Sequence, residues 1–125
     1  MLQQTRSRLS YDELLVTAIE SIKKQGYDNI KADLEDYDTP YQLIGKTKEV
    51  NFTADVTATK NDTRAYFEIS TKMDDKNEII NKWKLLETLA NMKNGKFQIF
   101  VPHGQMKFTQ ELVKDHNINA IIKKL

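Results

Sequence analysis

At 125 residues the chain has the size of one domain, and it is expected to fold as a single unit over residues 1–125 with 1–9 flexible. Lys and Arg together number 19 against 18 Asp and Glu, so the net charge of +1 excludes an overall basic field, and any nucleic-acid surface must be local. The absence of cysteine excludes disulfides, thiolate metal sites and cysteine nucleophiles; no apolar run matches a signal peptide or a spanning helix, which fits a cytoplasmic protein with no membrane partner.

Ser10-Tyr11-Asp12-Glu13 reads as a capping box, predicting a helix from Ser10 to about Gln25. Its apolar residues Tyr11, Leu15, Ala18, Ile19 and Ile22 form one stripe, and Gly26 supplies a left-handed stop. A strand is expected at 29–34, followed by an acidic solvated loop through Glu35, Asp36 and Asp38 to Pro40. Residues 41–48 are ambiguous, whereas 49–60 and 64–71 alternate clearly around Asn61-Asp62 and predict a β-hairpin.

Residues 77–94 predict a second helix with Ile79, Ile80, Trp83, Leu86 and Ala90 on one face and Asn94-Gly95 at its end. A second stripe of Leu85, Leu89 and Met92 is too apolar for a free surface, so either another element should cover it or a second subunit, the latter giving a homodimer through these residues. A strand at 96–101, a short helix at 108–114 and a last strand at 118–123 complete the chain. The order α-β-β-β-α-β-α-β predicts an α/β fold, a mixed sheet flanked by helices with the later strands parallel.

Strand alternation puts Thr53, Asp55, Thr57 and Thr59 on one hairpin face and Tyr66, Glu68, Ser70 and Lys72 on the same face of its partner, one face being core and this one polar. With a two-residue turn, Lys60 pairs with Thr63 and Asp55 lies opposite Glu68, their Cβ atoms about 5 Å apart. Like charges so placed destabilise a sheet by up to about 1 kcal/mol. The arrangement therefore calls for a compensating cation, a shared proton or a function, and Mg²⁺, which takes one or two carboxylates plus water and phosphate oxygens, would serve. The competing explanation is a wet polar face neutralised by Lys72 and Arg64.

Thr53-Ala54-Asp55-Val56 and Tyr66-Phe67-Glu68-Ile69-Ser70-Thr71-Lys72, followed by a helix and the strand ending at Pro102, resemble the PD-(D/E)XK nuclease superfamily. The likeness covers roughly residues 10–102. It implies a restriction-endonuclease-like fold and a Mg²⁺- or Mn²⁺-dependent nuclease acting on nucleic acid, DNA foremost, with Asp55 and Glu68 as metal ligands and catalytic groups. The family pattern places a lysine two residues after the second acid. Here that position is Ser70, and Lys72 stands one dyad further, about 7 Å along the strand, within reach of a lysine side chain. Lys72 then steadies the attacking water or the developing phosphorane charge, and Ser70 touches substrate or supports the ligands from behind. The alternative is a catalytically inactive nuclease-fold module for nucleic-acid binding or subunit interaction.

Other residues carry weaker readings. Trp83 fits the core, His103 and His116 read as solvent-facing loop histidines, and Lys82, Lys84, Lys93 and Lys96 are either solvated or in contact with phosphates. No acid from the first helix is assigned to the site, because Glu13 fits a cap, Glu20 points away and Asp12 lies only at the border of the stripe.

Overall fold

The structure, a computed structural model, describes residues 2–44, 51–71 and 75–125. The first helix, α1 (Leu2–Lys24), already runs through Ser10, so Ser10 starts no helix. The residues before it include Leu, Gln and Arg and no Gly or Pro, and they propagate the helix upstream. α1 ends as expected at Gly26 (φ 92°), where the Gly26 N–H donates to the Lys23 carbonyl at 3.0 Å and the Tyr27 N–H to that of Ile22 at 3.4 Å.

Strand β1 (Asp28–Ala32) follows, then β2 (Gln42–Ile44) and β3 (Asn51–Thr53), which pair with each other as a separate two-stranded ribbon. The segment read as one strand over 49–60 is thus broken. It leaves the ribbon after Thr53, bends at Asp55 and enters the main sheet as β4 (Val56–Lys60). Asn61 and Asp62, both at positive φ, make the two-residue turn to β5 (Thr63–Ile69) in the expected register, Lys60 opposite Thr63 and Val56 opposite Phe67.

Helix α2 (Lys76–Met92) is capped by Asp75, whose carboxylate accepts the Asn77 and Glu78 amides. It ends with Asn94 in the left-handed region and a Gly95 N–H donating to the Ala90 carbonyl at 2.7 Å. Gly95 must be glycine, because a Cβ there would sit 2.2 Å from the Arg64 carbonyl oxygen. Strand β6 (Phe97–Val101), helix α3 (Met106–Asp115) and strand β7 (Ile121–Lys124) complete the fold. β7 starts later than expected because Ile118 is used in ending α3, its N–H donating to Val113, and in filling the core.

The main sheet has the order β1-β4-β5-β6-β7, antiparallel from β1 to β5 and parallel from β5 to β7. Both parallel crossovers step in the same direction, so the right-handed rule sends α2 and α3 to one face and leaves the other to α1. One core, around Trp83, Leu86, Phe97 and Ile99, lies under α2 and α3; the other, around Leu15, Ile22, Phe67 and Phe100, lies under α1.

The expectation that one hairpin face is polar is therefore corrected. Tyr66, Glu68 and Ser70 face α2 and α3 and are all buried, because a sheet clothed by helices on both sides has no wet face at its centre. The second stripe of α2 is also reduced: Leu85 is half-buried and Leu89 packs into the first core, leaving Met92 exposed. No helix among the described residues is long and apolar enough to cross a membrane.

Candidate functional site

Asp55 stands where the chain passes from ribbon to sheet, one residue beyond the last hairpin pair, and continuation of the register puts it opposite Glu68. There the β ladder gives way to carboxylates. The Asp55 N–H donates to Glu68 Oε2 at 2.8 Å, and the Ile69 N–H donates to Asp55 Oδ2 at 2.8 Å. The two acids thus satisfy the amides that strand separation would strand.

Three further groups converge on the pair. From α1, the Tyr11 hydroxyl donates to Asp55 Oδ1 at 2.7 Å. Trp83 and Lys82, successive residues of α2, both address Glu68 Oε1, the indole N–H at 3.3 Å and the ammonium at 3.1 Å. Burial first, and the Asp55 charge second, push the Glu68 carboxyl up from 4.5 to about 8, against the downward pull of Lys82. Burial and the adjacent Asp55 also push the Tyr11 phenol up, so it remains a hydrogen-bond donor and not a base.

The pair lies in a cleft of about 500 Å³, bounded by Tyr11, Phe52, Thr53, Ile69, Thr71, Ile79 and Trp83. Asp55, Glu68, Asp75 and Glu78 face a single ammonium there, that of Lys82, among the described residues. A phosphate would be repelled from such a cleft unless a cation entered with it. Lone-pair accounting shows where one fits. Glu68 Oε1 is occupied by two donors, whereas Glu68 Oε2 and both Asp55 oxygens each accept one and keep one free. Among the described residues no group of three or more His, Asp or Glu could hold a metal. Two carboxylates with water are enough for Mg²⁺ but not for a cage of protein ligands alone.

The other residues singled out in the sequence fall differently. Ser70 is fully buried and its hydroxyl hydrogen-bonds Thr109 of α3, so it has no access to a substrate, and a lysine in its place would collide with α3. Lys72 lies outside the described residues. Lys84, Lys93, Lys96 and His103 are exposed, His116 is half-buried, and none of them lines the cleft. Asp12 and Glu13 are exposed and do not line it either.

Sequence reasoning named Lys82 only as one of four lysines open to phosphate contact, and missed its pairing with Glu68, the Trp83 N–H and the Tyr11 hydroxyl. One signal existed for Lys82, which falls between Ile79 and Leu86 at helical spacing and so faces the sheet with them. Comparisons with protein-family models, with curated proteins and with solved structures found no match to this chain.

Proposed function

We propose that the chain is a divalent-metal-dependent nuclease with a restriction-endonuclease-like core, acting on DNA, in which Lys82 fills the role that Ser70 cannot. The observation that carries the reading is the meeting of two carboxylates with spare lone pairs and an ammonium 3.1 Å from one of them, in a cleft too acidic to accept phosphate unaided. The helix, three-strand meander, helix and parallel strand in the order α1, β1, β4, β5, α2, β6 agree with that core.

Asp55 and Glu68 Oε2 would hold the metal, Mg²⁺ or Mn²⁺, whose chemistry is to lower the pKa of a bound water and withdraw charge from a phosphodiester oxygen. Trp83 and the Asp55 amide fix the Glu68 carboxylate from two sides, and Tyr11 and the Ile69 amide fix Asp55, so both ligands are held before anything binds. Lys82, one-fifth exposed, releases Glu68 when a cation arrives and donates instead to a phosphate oxygen as charge develops there. Ile79 and Trp83 restrict water on the α2 side.

The test is cleavage of single- and double-stranded DNA with Mg²⁺ or Mn²⁺ by wild type, Asp55→Ala and Lys82→Met, each checked for folding by circular dichroism. Metal-dependent cleavage by wild type, lost in both variants, is expected. Cleavage that survives Lys82→Met but not Asp55→Ala would transfer the cationic role to Lys72. No cleavage of DNA or RNA by wild type would favour an inactive nuclease-fold module, a reading supported by the saturation of Glu68 Oε1 by Trp83 and Lys82.

A further inference from the structure

Residue alternation along β5 puts Arg64 on the same sheet face as Glu68, four residues or about 13 Å away. Two strands over, Lys31 of β1 pairs with Thr57, which pairs with Tyr66, so Lys31 shares that face. Tyr41, just before β2, is within reach of both: the Lys31 ammonium is 4.1 Å and the Arg64 guanidinium 5.4 Å from its ring centroid. Among the described residues neither cation is paired with a carboxylate. Tyr41 is 62% exposed, although an aromatic held only for packing would be covered. The cleft offers one ammonium, that of Lys82, among the described residues, and this cluster adds two cations outside it.

We propose that Tyr41, Lys31 and Arg64 form a landing platform for single-stranded nucleic acid, with an unpaired base stacked on Tyr41 and the flanking phosphates on the two cations. The choice of nucleic acid over another polyanion rests on the nuclease reading of the neighbouring cleft. The preference for a single strand rests on the ring itself, since a paired and stacked base offers no face to it, and base–aromatic stacking is indifferent to sequence.

The experiment is fluorescence anisotropy with a fluorescein-labelled single-stranded oligonucleotide of mixed sequence and its duplex, in EDTA so that no cleavage intervenes. Wild type should prefer the single strand, Tyr41→Leu should lose about tenfold in affinity, and Tyr41→Phe should keep it. Changing Lys31 and Arg64 to Ala together should lower the salt slope by about 0.7 for each cation removed. Equal binding of duplex and single strand, or unchanged binding by Tyr41→Leu with its melting temperature intact, overturns the platform. Cleavage measured beside binding separates the two ideas. Binding without cleavage by wild type sinks the nuclease and supports the platform; cleavage by a protein whose Tyr41→Leu variant binds normally does the reverse.

Discussion

If Glu68 holds a metal, it must lose its proton first, and the metal affinity should follow that proton. With the carboxyl pushed up to about 8 by burial and by Asp55, most Glu68 side chains are protonated at neutral pH in the free protein. At pH 6 about one in a hundred is ionised, so Mn²⁺ should bind about fiftyfold more weakly there than at pH 8. Titration calorimetry at pH 6, 7 and 8, in pairs of buffers with different ionisation enthalpies, should show close to one proton released per ion at the lowest pH. Lys82→Met removes the charge that draws Glu68 down, and should move the whole curve to higher pH. A flat affinity from pH 6 to 8 with no proton released would mean that the Asp55 amide, the indole and the ammonium outweigh burial. Wild-type affinity in Glu68→Gln would remove Glu68 from the ligand set.

The same carboxyl links stability to pH. Its folded value lies above its ordinary 4.5, so its contribution is complete below about 4.5 and is lost as pH rises through about 8. The urea midpoint of the metal-free protein should fall between pH 5 and 8.5, and less so in Glu68→Gln; parallel curves would refute this. Tyr11→Phe deletes the donor at Asp55 Oδ1 and should cost about 1.5 kcal/mol by urea unfolding, and Mn²⁺ should bind about tenfold more weakly because Asp55 is no longer held in place. Unchanged Mn²⁺ binding would show that the hydroxyl is not needed to aim Asp55. Gly95→Ala drives a methyl into the Arg64 carbonyl and should cost about 3 kcal/mol, so an unchanged urea midpoint would contradict the close approach of α2's end to β5.

What the sequence determined by itself was local. The stripes Leu15-Ala18-Ile19-Ile22 and Ile79-Trp83-Leu86-Ala90 are periodicities of single helices, Gly26 and Asn94 are stops set by backbone sterics, and Asn61-Asp62 is a turn whose length dictates the hairpin register and hence the meeting of Asp55 with Glu68. Crossover helices of this length imply parallel strands after β5, and these are present. Only the tertiary structure decided what covers each surface. Alternation continues unbroken through residues 51–59, so nothing local marks the bend at Asp55, where the strand changes sheets. Thr57, Glu68 and Ser70 read as a wet face because their neighbours, α2 and α3, arrive from later in the chain, brought to one side by the handedness of two crossovers. Lys82, Trp83 and Tyr11 meet the acids for the same reason: contacts between residues 14 to 44 positions apart are set by helix placement over the sheet, which no short-range pattern records.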